Sequence, residues 1–445
     1  MKTKINITLI ILITGLLFSA CKKREGCMNP LALNYDSLAK KDCCCAFSTE
    51  ENNNIVHSGA ITTNETWLSS DLHELAGKVI VENGVTLTIQ PGTIIKGRTG
   101  TGSLASALII SKGAMIDAQG TASLPIIFTS TLDNIEIGQV VGTNLDETDN
   151  EKWGGIIVLG DAPISAENGD TQSQIEGIPA EESYGSYGGN NPGDNSGILT
   201  YISIRHGGTL IGEGNEINGL TLGGVGSGTV INNIEVIANL DDGIECFGGT
   251  VNLTNVLVAY QGDDGIDLDQ NYSGTISNFI VINDSGDEGL EIDGPEGSTY
   301  TSGMFHLENG SIWTTIGNGS GADLKSKAQG SITNTYWSGW NSNSIKIRAS
   351  FSDTSTCTEK EDANAHITNS TPTLTITNSE IVGTASLVNQ VNVYTNSMSV
   401  DVCTSSLENT TESVIGAETT IVSSSTTGAV LSSFGWTWAS IKGKL

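Results

Sequence analysis

Acidic residues recur in the middle of the chain in three segments of one form, acid-acid-Gly-aliphatic-acid. The segments cover residues 241–245, 263–267 and 287–291, so they are spaced by 22 and then 24 residues. Between Arg205 and Lys325 the chain has eighteen Asp and Glu residues and neither Lys nor Arg. Carboxylates held close together raise one another's pKa unless a cation lies between them. Calcium is the cation we expect, because it prefers carboxylate and carbonyl oxygens and tolerates irregular geometry.

The candidate calcium ligands are the acids that would share one corner of a repeated fold and the strand that follows it. They are Asp241, Asp242, Asp263, Asp264, Asp267, Asp269, Asp287 and Glu288. The alternative is an acidic face without a bound ion, solvated and screened by salt. Within each segment the aliphatic residue, such as Ile244, should point into the core and the next acid, such as Glu245, outward. On later repeats we expect Lys325 and Lys346 to replace the outward acid.

An asparagine repeat runs in step with the acidic one and indicates the architecture. Its members are Asn233, Asn255, Asn278, Asn309, Asn334 and Asn378, each followed three residues later by an apolar residue. A period near 22 with alternating apolar positions is typical of stacked β-coils, one coil per repeat. Sequential parallel strands take right-handed crossovers. We therefore predict an all-β fold, a right-handed parallel β-helix over residues 55–445, with the asparagines hydrogen-bonded along the stack.

The first twenty residues predict export. A basic start precedes an apolar stretch over residues 5–18 that is too short to span a membrane, and Ser19 and Ala20 come before Cys21. This pattern resembles a lipoprotein signal, although Phe18 stands where that signal usually has Leu. The resemblance implies a signal peptide at 1–20 and a lipid on Cys21, which would anchor the chain to the outer membrane. We expect display on the cell surface rather than on the periplasmic face.

Residues 21–54 form a predicted tether with a small cysteine-rich module. The stretch from Gly26 through Asn34-Tyr35 to Cys43–Cys45 resembles a disulfide-closed module of secreted and lipid-anchored Bacteroidetes proteins. That resemblance implies a disulfide from Cys27, and the triple cysteine leaves its partner open, with Cys44 taken as the candidate. Metal binding is the weaker alternative, because exported chains sit where disulfides persist and no His is nearby.

Two further cysteine predictions concern the long second part of the chain. Cys357 and Cys403 are expected to form a second disulfide. Cys246, which has no cysteine near it in sequence, is expected to pack as a small buried hydrophobe.

Several longer motifs resemble the β-helix lipoproteins and surface proteins of Bacteroidetes. They cover residues 84–93, 153–160, 201–208, 215–226, 241–245 and 434–438, and the resemblance extends over about residues 55 to 445. It implies the β-helix fold and an envelope location. It implies no reaction, because that family has no settled activity.

Two classes of function remain open. A net charge of −30 excludes nucleic acid as a partner and leaves cations, neutral glycans or a surface protein. We favour a non-enzymatic binding or adhesion protein with no catalytic residue. The alternative is a polysaccharide lyase or glycoside hydrolase, in which two of the corner acids would flank the scissile bond.

Two observations weigh against the enzyme. His206 and the segment 345–348 do not match the Gly-His-Gly and Arg-Ile-Lys of polygalacturonases in order or place, and His206 is expected to be a turn residue. A lyase would also need Lys or Arg as its base near the acidic corner, and the stretch without basic residues predicts that there is none.

Overall fold

The computed structural model describes residues 24–28, 32, 34–45, 54–212, 215–395 and 402–445. The chain divides into two compact units, Met1–Glu50 and Glu51–Leu445. The predicted signal peptide and Cys21 lie outside the described residues. Within the described ranges, no helix has the length and apolar character needed to cross a membrane.

The first unit is a small module closed by disulfides. Strands Glu25–Gly26 and Lys41–Asp42 pair in parallel. Cys27 is bonded to Cys45, whose Cα lies 4.7 Å away, and Cys43 is bonded to Cys44. Cys44 as the partner of Cys27 is therefore wrong. The reason is local: Cys44 has a left-handed backbone with φ 56°, so the chain turns there and brings Cys45 to Cys27.

The second unit is a right-handed parallel β-helix, as predicted. One all-parallel sheet runs through the strands Asn54–Ile61, Glu65–Trp67, Leu72–Val81, Thr86–Ile89, Ile94–Gly97, Ala107–Ile110, Met115–Gln119, Ile126–Ser130, Ile156–Leu159, Gly197–Arg205, Leu220–Gly223, Val230–Ile237, Ile244–Phe247, Asn252–Ala259, Ile266–Asp269, Thr275–Ile282, Leu290–Ile292, Phe305–Trp313, Asp323–Leu324, Gly330–Thr333, Tyr336–Ser338, Ile345–Arg348, Leu374–Thr377, Ser379–Val382, Val391–Tyr394 and Thr419–Val422.

Each coil contributes strands to three columns, which we call A, B and C. In one coil, column C is Ile244–Phe247, and the strand Asn252–Ala259 then supplies column A with its first half and column B with its second. Neighbouring coils pair in register, so that Glu245 lies opposite Asp267 and Asp267 opposite Glu291. The inward aliphatic residues fill one continuous core, in which Ile244, Ile266 and Leu290 are fully buried. Cys246 lies in this core as a free thiol, as expected.

The bend between columns A and B contains the predicted asparagine ladder. The six asparagines all have left-handed backbones, with φ between 46° and 59°. Asn278 donates to the Oδ1 of Asn255 at 2.5 Å, and Asn334 donates to that of Asn309 at 2.7 Å. Asn255 donates instead to Asn232, one residue before the ladder position. The prediction of asparagines hydrogen-bonded along the stack is therefore confirmed for the pairs 255–278, 309–334 and 334–378. It is not confirmed at the first step, where Asn233 and Asn255 both donate to Asn232.

The remaining elements lie outside the parallel sheet of the β-helix. Short antiparallel pairs are formed by Ser173–Gln174 with Ser186–Tyr187 and by Phe351–Asp353 with Thr358–Glu359. The helices are α1 (Ala363–Thr368), α2 (Leu387–Gln390), α3 (Val402–Ile415) and α4 (Trp438–Ile441), with 3-10 turns at Gly102–Leu104, Ser183–Gly185 and Leu431–Phe434. The predicted disulfide between Cys357 and Cys403 is present, and it joins the hairpin of residues 351–359 to α3.

The C-terminal segment, residues 429–445, returns along the outside of column B. Phe434, Trp438 and Ala439 pack against the outward residues of that column, which include Ile237 and Leu257. The backbone N–H groups of Trp438 and Ala439 both donate to the carboxylate of Glu235 at 2.9 Å. Nothing in the periodic pattern predicted this return.

Candidate functional site: the acidic face of column C

The outward positions of column C carry a row of charged residues. From coil to coil the register aligns Glu245, Asp267, Glu291, Asp323 and Lys346. The exchange of acid for base on later coils therefore occurs at Lys346, as expected. Lys325 was placed wrongly in this row, because the long insertion before residue 323 hid the register. It lies two residues beyond Asp323.

A covering segment, made of residues 160–196, 206–212 and 215–217 on either side of the strand Gly197–Arg205, closes over part of column C. Its residues Ile164, Ile175 and Ile211 form a second apolar cluster with outward residues of the column such as Ile157 and Phe247. This cover explains why the neighbouring outward acids are not solvated. The sequence analysis did not predict this cover, because the covering segment has no repeat and no strong periodicity.

Three acids next to this cover are buried. Asp242 is 7% exposed, Glu245 5% and Asp267 8%. One carboxylate oxygen of each lies within 4.8 Å of the others. Of the ion pairs among the described residues, none reaches any of the three. We call this set the central acid triad.

Two oxygen atoms at the triad lack a hydrogen bond. They are Oδ1 of Asp267 and Oδ1 of Asn218, both buried and without a partner among the described residues. The amide of Asn218 donates to Oε2 of Glu245, which places Asn218 beside the triad. A buried polar atom without a partner costs roughly 1–3 kcal/mol. The triad therefore presents unsatisfied oxygens where a cation would satisfy them.

Two further groups of acids extend the triad on either side. One consists of Asp241, Asp242 and Asp263, and the other of Asp267, Asp269 and Asp293. The structure thus brings together five of the predicted ligands, namely Asp241, Asp242, Asp263, Asp267 and Asp269. It adds Glu245 and Asp293, which the sequence analysis did not count as ligands.

The other three predicted ligands lie outside these groups. Asp264 accepts from the backbone N–H of Glu288 at 2.6 Å, and its own N–H donates to Asp242 at 2.8 Å. Glu288 accepts from Ser320 and pairs with Lys346, and Asp287 is exposed. Asp264 and Glu288 therefore accept hydrogen bonds from the backbone and side chains of the corner. Their spacing in the sequence did not predict this role.

Burial and crowding shift the protonation of these acids. Burial, and then the neighbouring carboxylates, raise the pKa of Asp242, Glu245 and Asp267 well above their ordinary values. For Asp241, burial and the carboxylates of Glu216 and Asp263 raise the pKa to about 7. Glu216 lies at the end of the covering segment, so the loops add negative charge to the site. Burial and mutual repulsion thus both favour bound protons or a bound cation at this site.

The donor set fits calcium. Each of the three acids contributes one carboxylate oxygen, and these oxygens lie within 4.8 Å of one another. Asn218 adds an unpartnered amide oxygen beside them, and calcium prefers carboxylate and carbonyl oxygens. Neither His nor Cys belongs to any of the three groups, which disfavours transition metals.

Basic residues border the acidic face at its far end. Lys346 pairs with Glu288, Lys325 with Glu291 and Asp293, and Arg348 with Asp323. The prediction that no base lies near the acidic corner is therefore wrong. Stacking brings Lys325 and Lys346 of later coils beside acids of earlier coils, although these bases are distant from the corner in sequence. The pKa of Lys325 is lowered by burial, but the carboxylates of Asp293 and Glu291 outweigh this and raise it. Lys325 stays protonated and is unsuited to act as a general base.

His206 lies away from this chemistry. It is buried with a left-handed backbone, φ 63°, and its Nδ1–H donates to the carbonyl of Asp149 at 2.7 Å. Burial lowers the pKa of His206 to about 4, so it is neutral at physiological pH. It is a turn residue, as expected.

Fold and site together define a parallel β-helix with an acidic outer face suited to a hard cation. The family model described as a pectate-lyase-like β-helix domain matches residues 59–429. Because that match covers most of the chain, the protein belongs to this family. Searches of curated proteins and of solved structures gave no match.

Proposed function

We propose that this protein is a lipid-anchored envelope protein whose β-helix serves as a non-enzymatic binding or adhesion scaffold and binds calcium at the central acid triad. The observation that carries the calcium assignment is the burial of Asp242, Glu245 and Asp267 together, with an unpartnered Oδ1 on Asp267. Thermal stability tests it, because an ion that binds only the folded state raises the melting temperature. A melting temperature insensitive to chelator and calcium would contradict the assignment.

Calcium explains the site better than protons alone. Three protonated carboxyls would each need an acceptor for the added proton, and the described residues leave Oδ1 of Asp267 with no partner at all. A divalent ion offsets the mutual repulsion and supplies a contact for that oxygen in one step. Magnesium is a poorer fit, because it demands octahedral geometry and retains its water.

The binding role follows from what the site lacks as a catalyst. The triad acids are buried, so a polysaccharide chain cannot contact them without displacing the covering segment. The nearest bases are held protonated in ion pairs with Glu288, Glu291 and Asp293. A buried cation among packed loops is suited to fixing a surface in one shape for a partner.

Polysaccharide cleavage is the second candidate, and family membership favours it. Two acids of the corner, Asp263 and Asp287, are exposed and lie on neighbouring coils, where a glycan could reach them. Hydrolysis needs one carboxylic acid and one carboxylate across the glycosidic bond.

A cleavage screen separates the two candidates. We expect acidic and neutral polysaccharides, incubated with the protein with and without calcium, to yield neither new reducing ends nor unsaturated products. The protein carrying Asp263→Asn and Asp287→Asn, with Asp117→Asn as a control on column A, should behave as the wild type does. Cleavage that the double variant loses and the control keeps would make the protein an enzyme.

The lipid anchor has its own test. Replacing Cys21 with Ser removes the thiol that would carry the lipid, and the described residues contain no membrane-spanning helix. The Cys21→Ser protein should therefore move from the membrane to the soluble fraction, measured by fractionation without detergent. Retention in the membrane after repeated washing would rule out the anchor at Cys21.

A further inference from the structure

An open groove lies where the C-terminal segment crosses the bend between columns A and B. It has a volume of about 540 Å³ and is lined by residues that include Tyr201, Asn232, Asn255, Ser432, Ser433 and Trp436. The groove follows the asparagine ladder, so it belongs to a different side of the coil from the acidic face of column C.

Tyr201 breaks the ladder at this point. Its neighbours Thr200 and Ile202 pair with Asn232 and Ile234, so Tyr201 lies opposite the ladder residue Asn233. Its backbone is left-handed, with φ 52°. Asparagine adopts that conformation far more readily than a bulky aromatic residue does, and strain of this kind concentrates at functional sites. An aromatic ring therefore replaces the structurally preferred residue where the groove opens.

A second aromatic ring completes the wall. The ring of Trp436 meets that of Tyr201 edge to face, with centroids 5.4 Å apart. Trp436 is nine-tenths buried, and its indole N–H has no acceptor among the described residues. The C-terminal segment is fixed here by Glu235, which accepts from Trp438 two residues later. The two rings are thus held in place.

The polar groups of the groove are uncharged and in part unused. Oδ1 of Asn232 accepts from both Asn233 and Asn255 at 3.0 Å, while its Nδ2 donates to none of the described residues. The hydroxyls of Ser432 and Ser433 likewise have no hydrogen bond within the described chain. Asp, Glu, Lys and Arg are absent from the described lining.

We infer that this groove binds a neutral saccharide. Amide and hydroxyl groups match the hydroxyls of a sugar, and the aromatic rings match its apolar C–H face. The lack of charge argues against an acidic glycan or a phosphate. This inference names a ligand class for the binding role proposed above, and its test uses no calcium, so either proposal fails independently of the other.

Titration calorimetry in the presence of chelator tests the inference, with cellohexaose, xylohexaose, maltohexaose and mannohexaose as probes. At least one probe should bind the full chain. Tyr201→Asn installs the ladder residue of later coils, so it should keep or raise the melting temperature and weaken binding at least tenfold. The matched control is Tyr300→Asn, the same change at another left-handed residue, φ 46°, outside the groove. It should bind as the wild type does.

The hydroxyls of Ser432, which is exposed, and Ser433, which is half-buried, provide a second variant that should keep the fold. Ser432→Ala combined with Ser433→Ala should weaken binding about threefold or more. The inference is overturned if no probe binds the wild type at millimolar concentration. Equal affinities in Tyr201→Asn and Tyr300→Asn would overturn it as well.

Discussion

Calcium should raise the melting temperature of the protein, and chelation should lower it. The triad exists only when the covering segment and two coils are folded, so the ion has far less affinity for the unfolded chain. At free calcium a hundredfold above its dissociation constant, mass action adds about 2.7 kcal/mol to the free energy of unfolding. Differential scanning calorimetry at low ionic strength would show this, and magnesium should restore little of it.

Two matched variants locate the effect. Asp267→Asn removes a charge from the triad and should abolish most of the calcium response. Asp287→Asn removes the same charge from the exposed edge of the same corner and should leave the response intact. If both variants respond like the wild type, the ion binds elsewhere or only screens the surface.

Asp264→Asn is informative because sequence and structure disagree about it. The spacing of the acids predicted that Asp264 is a calcium ligand, and on that basis Asp264→Asn would reduce the effect of calcium on the melting temperature. In the structure Oδ1 of Asp264 accepts from the backbone N–H of Glu288, and an asparagine Oδ1 can do the same. We therefore expect Asp264→Asn to keep both the fold and the calcium response.

The calcium effect should also depend on pH. The pKa of Asp241 is raised by burial from its ordinary 3.8 to about 7 in the folded state. The stability that its protonated form contributes is complete below pH 3.8 and is lost as the pH rises through about 7. In chelator, the melting temperature should therefore fall as the pH rises from about 4 to about 7. With calcium the fall should be smaller, because the ion replaces the protons.

The repeating part of the fold could be predicted because each coil obeys the same rules. Left-handed bends favour asparagine, and alternation along a strand separates the inward Ile266 from the outward Asp267. Both signals are local and recur at a nearly constant period. The columns, the ladder and the corner acids follow from them.

The parts that give the site its chemistry are those that break the period. Because the covering segment has no repeat, nothing in the sequence pattern predicted that Glu245 and Asp267 are buried beneath it. The insertion between Glu291 and Asp323 changed the spacing, and it misplaced Lys325 by two residues. Sequence distance also misled the search for a base, since Lys346 and Glu288 are 58 residues apart and in contact.

Long-range contacts of the C-terminal segment were equally invisible. Trp438 donates to Glu235 across 203 residues, and neither residue belongs to a motif that predicts the other. The aromatic residues at 434–438 could be recognised as a pattern, but the surface that they cover could not.

Glu235→Gln should be the most damaging conservative change outside the core. Glu235 is fully buried, and it accepts from the N–H groups of Trp438 and Ala439 and from the hydroxyl of Ser203. Its Oε2 lies 3.9 Å from Nη2 of Arg205, which is also buried. Glutamine keeps the shape but removes the charge and one acceptor.

Glu235→Gln should lower the free energy of unfolding by about 3 to 5 kcal/mol, because it breaks a buried ion pair. The guanidinium of Arg205 keeps its hydrogen bonds to Ser203 and Val140 but loses its closest counter-charge. Chemical denaturation measures this loss of stability, with Glu308→Gln as a half-buried control on column A. Limited proteolysis should then cut first within residues 429–445, since the anchor of that segment is weakened. The same segment supplies Ser432, Ser433 and Trp436 to the groove, so saccharide affinity should fall in Glu235→Gln and not in Glu308→Gln. Equal stability of the two variants would show that Glu235 does not hold the C-terminal segment in place.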